Sequence, residues 1–308
     1  MSERIVTLTL NPAVDLGSTA DRVEPTRKIR TRDERLDAGG GGINVARVVH
    51  AMGGSALALI LVGGETGALI QDLLRQAGVP FQALPMAGRT RLSLNVHEAS
   101  TGQEYRFVPE GPEVTPAEWE AALDAIGQVE AGWLVASGSL PRGVPADLYA
   151  RVGDIAARRG LPFALDSSGA ALKAALGHGI ALMKPSLREL EELVGRKLPT
   201  RAEQEAEALA LVRAGAAVRI AVSLGPDGAF LATAQGVTHR PAPVGPVLSA
   251  VGAGDSFLAG MVLALARGAS DGDALAWGLA VAAAAVASLG TARVVREAAE
   301  AYRRQLAD

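Results

Sequence analysis

The stretch that decides the fold runs Ser249-Ala250-Val251-Gly252-Ala253-Gly254-Asp255-Ser256-Phe257 and leads into a long apolar segment that we predict to be a helix. Two glycines and two alanines leave the backbone bare where that helix begins. Bare backbone lets several N–H groups converge on one point, and a helix N-terminus adds about half a positive charge there. Such a corner binds anions, phosphate above all. A carboxylate does not hold phosphate, so we interpret Asp255 as a base that deprotonates a group attacking a phosphate.

Length and composition limit the classes of protein. The chain has 308 residues, enough for one large α/β domain plus a small appendage. Hydrophobic residues make up 49% and charged residues 20%, which indicates a sizeable core. The net charge of −3 gives no argument for a nucleic-acid or membrane partner. With no cysteine in the chain, disulfides, thiolate zinc sites and cysteine nucleophiles are excluded.

Two apolar segments bear on location. The first ends early, at Asn11-Pro12, and is too short for a signal peptide. The second, Ala274 to Leu289, is rich in alanine and falls short of the ~18–20 residues that a membrane span needs. We predict it to be a buried helix, and we expect a cytoplasmic location.

Alternating strand and helix patterns follow one another from Pro109 onward, and polar residues stand where successive strands end. The carboxyl ends of parallel strands meet at one edge of an open α/β sheet, and ligands bind at that edge. The segments concerned are Ser137-Gly138-Ser139, Asp166-Ser167-Ser168-Gly169, Lys184-Pro185-Ser186 and Ser223-Leu224-Gly225-Pro226-Asp227-Gly228.

Two regions, 22–37 and 90–108, interrupt this pattern with charged or alternating residues. We predict that they form one small sheet projecting as a lid. The predicted division is a main domain of residues 1-11, 38-88 and 110-308 and a β-sheet lid of residues 12-37 and 89-109. Lys28, Arg30, Arg91 and Arg106 all fall in the lid. Arginine matches phosphate oxygens well, so these cations favour a phosphorylated substrate.

A second glycine-rich loop, Gly39-Gly40-Gly41-Gly42-Ile43-Asn44, precedes a predicted helix. It lacks the Gly-x-Gly-x-x-Gly spacing of a dinucleotide fingerprint, and it lacks the Gly-Lys-Ser/Thr of a Walker loop. A nicotinamide dehydrogenase is therefore disfavoured. Consecutive glycines cost conformational entropy, which a ligand contact or tight packing must offset. We interpret the loop as a ligand loop.

These motifs together resemble the PfkB/ribokinase family of carbohydrate kinases. The resemblance covers nearly the whole chain and is carried by Thr7–Asp15, Gly39–Arg47, Ser137–Pro141 and Val251–Ser256. They are most similar to its phosphosugar branch, which includes the minor-type 6-phosphofructokinases, 1-phosphofructokinases and tagatose-6-phosphate kinases. The resemblance implies a ribokinase-like three-layer α/β/α domain with a mainly parallel central sheet and a small β-sheet lid.

The resemblance also implies roles for individual residues. Asp255 would be the catalytic base, with Gly252, Ala253 and Gly254 at the anion hole. ATP and Mg²⁺ would be the cofactors, and Glu189 would hold the metal. Ser186 stands where the family has Asn, and a hydroxyl there can still meet a metal-bound water. The expected nucleotide contacts are Lys184, Ser186, Ser223, Gly225 and Gly228; the expected substrate contacts are Asp15, Lys28, Arg30, Gly40, Gly41, Asn44, Arg91, Arg106 and Ser139.

The implied reaction is ATP-dependent phosphotransfer to a hydroxyl of a ketohexose phosphate. Gly41, where fructose-1-phosphate enzymes tend to carry Lys, favours fructose 6-phosphate becoming fructose 1,6-bisphosphate. Phosphorylation of fructose 1-phosphate or tagatose 6-phosphate remains an alternative, and so does a non-catalytic sensor of sugar phosphate or nucleotide. The expected partners are small molecules and a second copy of the chain, joined through the lid sheet.

Overall fold

The computed structural model describes residues 3–288 and 290–306. Leu289, the predicted end of the long apolar segment, lies outside the described residues. In chain order the strands are β1 Ile5–Thr9, β2 Ala13–Ala20, β3 Thr31–Gly39, β4 Ala56–Val62, β5 Phe81–Pro85, β6 Arg91–Glu98, β7 Glu104–Phe107, β8 Trp133–Ser137, β9 Phe163–Asp166, β10 Ile180–Met183, β11 Ile220–Ser223, β12 Ala229–Thr233 and β13 Gly236–Arg240. The helices are α1 Gly41–Ala51, α2 Gly64–Gln76, α3 Pro116–Gln128, α4 Leu148–Arg158, α5 Gly169–Ala175, α6 Leu187–Val194, α7 Arg201–Arg213, α8 Ala253–Ala266, α9 Asp271–Val286 and α10 Arg296–Gln305.

A nine-stranded sheet forms the centre, in the order β13-β12-β11-β10-β9-β8-β1-β4-β5. Its pairs are parallel except the β11–β12 and β12–β13 pairs at one edge. Successive side chains of a strand point to opposite faces. In β1, Ile5 therefore packs into one core layer, and Val6 and Leu8 pack into the other. The predicted three-layer fold with a mainly parallel sheet is confirmed.

The helices divide between the two faces of this sheet. α1, α8 and α9 contribute to one buried cluster, and α3, α4 and α7 contribute to the other. α8 and α9 pack closely because both carry glycine at the contact: a Cβ at Gly260 would lie 2.7 Å from the Trp277 carbonyl oxygen, and one at Gly278 would lie 2.6 Å from Met261 Cγ. Across the described residues, no helix has the length and apolar character to span a membrane.

A second sheet of four strands has the order β3-β2-β6-β7. β6 and β7 form the antiparallel hairpin expected from their alternating pattern, and β2 pairs parallel to β6. The region 22–37 is extended only from Thr31, because residues 21–30 form an exposed loop. β2 contains Gly17 and Ser18, which have low strand preference, yet pairing on both sides makes it a central strand. The lid boundaries at 12-37 and 89-109 remain a prediction.

The register of this second sheet sorts its two faces, because directly paired residues project to the same side. Gly17 pairs with Arg35 and with Asn95, and Asn95 pairs with Arg106. We call these four residues the arginine row. One residue further along each strand lies an apolar row on the opposite face, which we call the leucine row. Its members are Leu36, Leu16, Leu94 and Phe107.

Candidate active site

Helix α8 begins at the glycine-rich stretch with which the sequence analysis opened. Gly252 caps it in the left-handed conformation at φ 78°, and a Cβ there would lie 2.7 Å from the Ala292 Cβ. The Ala253 N–H donates to the Ala250 carbonyl at 3.3 Å. First-turn amides have no intrahelical acceptor, so the Gly254 and Asp255 amides are better placed than that of Ala253 to bind an anion. This modifies the expected anion hole.

Two side chains from other elements hold the Asp255 carboxylate. The Asn44 Nδ2 donates to its Oδ2 at 2.9 Å, and the Ser137 Oγ donates to its Oδ1 at 3.2 Å. Asn44 lies in the first turn of α1, and Ser137 ends β8. Burial raises the pKa of Asp255, while these hydrogen bonds and the charge of Lys184 oppose the rise. The carboxylate is therefore oriented, and it is a stronger base than an exposed aspartate.

The glycine-rich loop before α1 makes room for site residues. A Cβ at Gly39 would lie 2.2 Å from Asp15 Oδ2, and one at Gly41 would lie 2.1 Å from Ser137 Oγ. Gly40 has φ 120°, and a Cβ there would lie 2.7 Å from Thr9 Cγ2. Close approach to protein atoms therefore explains these glycines, whatever their contact with a ligand.

Lys184, predicted to contact the nucleotide, is buried below the start of α8. Its Nζ lies 3.2 Å from Asp166 Oδ1 and 3.3 Å from the position that a Cβ at Gly254 would take. Burial lowers the pKa of Lys184, but the charges of Asp166, Glu189 and Asp255 raise it more. Burial raises the pKa of Asp166 to about 7, against the effect of Lys184. Lys184 and Asp166 together determine the charge that lies below the first-turn amides of α8, where an anion is expected to bind.

Ser186 and Glu189 form a capping box at the start of α6. The backbone N–H and the Oγ of Ser186 donate to Glu189 Oε2 at 2.7 and 2.8 Å, and the Glu189 N–H donates back to Ser186 Oγ at 3.3 Å. The structure thus fixes one carboxylate oxygen of the predicted metal ligand. In the part of the chain that is described, no three acidic or histidine side chains cluster in a way that could hold a metal by themselves.

The other residues expected at the nucleotide lie near this helix start. Ser223 and Ser186 form an isolated parallel bridge, and the Ser223 N–H donates to the Pro185 carbonyl at 3.2 Å. Gly225 begins an exposed 3₁₀ turn with φ 61°. Gly228 has φ 94°, and a Cβ there would lie 2.2 Å from the Arg240 carbonyl oxygen.

Asp15 is one of the acidic residues that the second sheet contributes to a cleft. Burial raises its pKa to about 6, and Arg106 opposes the rise. The Thr291 Oγ1 donates to Asp15 Oδ2 at 3.4 Å, and Asp37 is its cross-strand neighbour on β3. The cleft is lined by Asp15, Arg106 and Thr291, among others.

The lid cations predicted from the sequence do not share one position. Lys28 and Arg30 are exposed in loop 21–30, which joins the strands at the Ala20 end, about 17 Å along β2 from Asp15. Within one chain, the structure does not bring them to the cleft. Arg91 donates to the Asn11 and Pro109 carbonyls, both at 2.8 Å. Arg106 lines the cleft.

The last predicted substrate residue, Ser139, is exposed and accepts a hydrogen bond from Asn11 Nδ2 at 3.3 Å. It is Ser137, two positions earlier, that touches Asp255. The sequence analysis also omitted Asp166 and Thr291 as site residues. Ser137 and Asp166 each end a parallel strand, and that position could have identified them. Thr291 had no local signal.

The buried Asp255 at a helix N-terminus, Lys184 beneath it and a cleft against the small second sheet together fit a sugar kinase of the ribokinase-like fold. The chain belongs to the family described as pfkB family carbohydrate kinase, whose profile matches residues 8–298. The ATP-dependent 6-phosphofructokinase isozyme 2 of Mycobacterium tuberculosis strain H37Rv is 46% identical over 302 residues, covering 97% of this chain and 88% of that protein. The 1-phosphofructokinase of Escherichia coli K12 is 35% identical, covering 93% and 92%.

A solved structure gives the same result. The crystal structure of phosphofructokinase-2 from Escherichia coli in complex with fructose-6-phosphate has a TM-score of 0.92 and is 36% identical, covering 98% of this chain and 99% of that one. The predicted family and fold are therefore confirmed.

Proposed function

We propose that the protein transfers a phosphoryl group from ATP to a hydroxyl of fructose 6-phosphate, giving fructose 1,6-bisphosphate. The observation that carries the proposal is the Asp255 carboxylate, held by Asn44 and Ser137 at the N-terminus of α8. The names of the relatives support it: two of the most similar are ATP-dependent 6-phosphofructokinases, and one solved relative is a complex with fructose-6-phosphate.

On the acceptor side, Asp255 takes the proton of the attacking hydroxyl as the new P–O bond forms. Asn44 presents a buried Oδ1 that has no hydrogen-bond partner among the described residues, so a sugar hydroxyl would satisfy it. Asp15 lies across the cleft and would accept from other hydroxyls. Gly40 and Gly41 have no side chains, so the sugar could approach the backbone closely there.

On the donor side, the first-turn amides of α8 stabilise charge that grows on the transferred group. Lys184 adds positive charge from below these amides. Ser186, Ser223, Gly225 and Gly228 would hold the rest of ATP at the adjoining strand ends. Use of ATP agrees with membership of the pfkB family. We also propose a cytoplasmic location, because ATP and sugar phosphates are made in the cytoplasm.

The donor set fits magnesium that arrives with ATP. Mg²⁺ keeps several waters and binds proteins through one or two carboxylates together with phosphates. Glu189 and Asp166 are acidic, and their charges act on Lys184. We propose that Glu189, oriented by Ser186, holds the ion through water with Asp166 nearby. The ion would neutralise phosphate charge.

The proposal is tested by ADP release from Mg-ATP with four acceptors in parallel: fructose 6-phosphate, fructose 1-phosphate, tagatose 6-phosphate and fructose. We expect the highest kcat/KM with fructose 6-phosphate. Preference for one of the other two sugar phosphates would show that the protein has a different substrate within the same family. Binding without turnover of any acceptor would indicate a sensor and overturn the proposal.

We further propose a homodimer joined through the lid, as expected from the resemblance. The leucine row is apolar, and its Leu36 and Phe107 are 41% and 58% exposed. Loop 21–30 at one end of the lid would place Lys28 and Arg30 near a second copy. A relative from Escherichia coli is described as a tetrameric inhibited form. Light scattering on Phe107→Ser should show a monomer where wild type is a dimer; a monomeric wild type would refute the interface.

A further inference from the structure

The arginine row crosses the whole lid sheet on the face that lines the cleft. Arg35, Gly17, Asn95 and Arg106 are direct neighbours on β3, β2, β6 and β7, and all four line the cleft. The row therefore has a cation on each outer strand, and Gly17, which has no side chain, leaves room for the Arg35 guanidinium to lie toward the middle. The sequence analysis included Arg106 among the substrate residues and omitted Arg35.

Arg35 is held in place yet keeps hydrogen-bonding capacity. Its Nε donates to Asp37 Oδ2 at 3.3 Å, and its NH2 lies 3.1 Å from where a Cβ at Gly17 would be. The guanidinium therefore lies across Gly17, and its side chain is 35% exposed. Within residues 3–288 and 290–306, neither terminal nitrogen makes a hydrogen bond to another residue.

Neutralising Asp37 does not require Arg35. Arg293 NH2 donates to Asp37 Oδ1 at 3.3 Å, and Arg47 NH2 lies 3.8 Å from the same oxygen. Asp37 thus has three arginines around one carboxylate, which leaves positive charge in excess. The side chain of Arg106, at the other end of the row, makes no hydrogen bond or ion pair with any other residue in the described part of the chain. Both ends of the row are available to an anion.

The neighbouring rows on the same face each contain carboxylates. Asp15 and Asp37 pair in the row toward the main domain, and Glu104 pairs with His97 in the row beyond. The arginine row carries no carboxylate. Rows on one face are about 7 Å apart, which is comparable to the length of a hexose. A sugar whose hydroxyls lie at Asp15 and Asp255 would therefore place its far end at the arginine row.

We infer that Arg35 is a specificity-determining residue, which with Arg106 grips the phosphate that the acceptor already carries. The bound phosphate sits between the Arg35 guanidinium, which lies across Gly17, and the Arg106 guanidinium. This inference rests on the proposed function, since it concerns the same acceptor. It makes the preference for a phosphorylated sugar a property of one row of the lid sheet within a single chain, in addition to any cation that a second copy supplies.

The test uses the full-length protein and the ketohexose phosphate that wild type turns over fastest. Calorimetry gives the Kd of that sugar phosphate and the Kd of Mg-ATP for Arg35→Leu, Arg35→Lys and the matched control Arg32→Leu. Arg32 is an exposed arginine on the same strand that pairs with Asp21. We expect Arg35→Leu to weaken sugar-phosphate binding about 10- to 100-fold, as loss of charge-assisted bonds does. Arg35→Lys should fall between, and Arg32→Leu should match wild type.

Other outcomes separate the inference from a structural role. The Kd of Mg-ATP should stay constant in Arg35→Leu; equal weakening of both ligands would show that Arg35 only supports the fold around Asp37, and would overturn the inference. An unchanged Kd for the sugar phosphate would overturn it too. Gly17→Ala, which crowds the guanidinium and keeps its charge, should give a smaller loss. If wild type turns over no ketohexose phosphate, the proposed function itself fails.

Discussion

The corner at the start of α8 and the lid face of the cleft are built differently. The corner, which we propose to be catalytic, consists of Asp255, Asn44, Ser137, Lys184 and Asp166, and each of these side chains contacts another member of the set. The face of the lid instead presents Arg106 without a hydrogen bond and Arg35 with its terminal nitrogens unused in the described part of the chain. A pre-organised corner stabilises a transition state at little reorganisation cost. Free cations on the lid gain partners only when a ligand binds. Changes in the corner should therefore alter rate and folding, and changes in the free lid cations should alter affinity.

The largest expected effect is the loss of kcat in Asp255→Asn, which tests the role of the corner. The variant keeps the side-chain shape but removes the base; its amide oxygen can still accept from Asn44, and its NH2 group would donate to Ser137 Oγ. We expect kcat to fall by about 10²- to 10⁴-fold with little change in the Kd of the acceptor. Asp273→Asn, in the first turn of α9, is the matched control and should retain kcat. A kcat within threefold of wild type would remove Asp255 from the chemistry.

Lys184→Met should come next, as a loss of stability. It leaves Asp166 buried without its partner, which costs about 3–5 kcal/mol of the free energy of unfolding. The pKa of Asp166 is already about 7, so the loss should be small at pH 5.5, where the carboxyl is protonated, and full at pH 8.5. Denaturant titrations at both pH values measure it. The exposed Lys173→Met is the control, and adding Asp166→Asn should abolish the pH dependence; an equal loss at both pH values would contradict this account.

Gly41→Ala tests whether the space left by Gly41 is needed for Ser137 to orient Asp255. The new Cβ would lie 2.1 Å from Ser137 Oγ and must displace the side chain that orients Asp255. We expect about 1–3 kcal/mol of destabilisation together with a lower kcat. Gly127→Ala, in α3 with open space around it, should leave kcat unchanged and raise the free energy of unfolding by about 0.5–1 kcal/mol. Wild-type kcat in Gly41→Ala would show that the Ser137 contact is dispensable.

The smallest effect should come from Asp15→Asn in the lid, which should stabilise the fold, whereas Lys184→Met and Gly41→Ala should destabilise it. Burial raises the pKa of Asp15 to about 6, so its charge destabilises the folded state above that pH. Asp15→Asn should increase the free energy of unfolding by about 1–2 kcal/mol at pH 8, and the gain should disappear as the pH falls through 6 toward 4. The exposed Asp124→Asn should show no such trend. Acceptor affinity should drop in Asp15→Asn, and a variant less stable at pH 8 would refute the cost of burial.

The corner was largely predictable because its signals are local. Asp255, Lys184 and Asn44 each stand in a short motif at a strand end or a helix start. The lid was harder, because the segment Thr31–Asp37 is polar at almost every position and gives no clue as to which side chain faces the cleft. Lys28 and Arg30 were predicted to grip substrate, yet within one chain they lie in a loop far from Asp15. Arg35, a few residues on, lines the cleft.

The sequence by itself determined the alternation of strands and helices and the polar strand ends of the main domain, because apolar periodicity and glycine at helix starts act over a few residues. It also marked Asp255 as the predicted base. Only the tertiary structure decided which serine holds that base and which arginines face the substrate cleft. Strand register sets the face of every lid side chain, and register depends on partners distant in the chain.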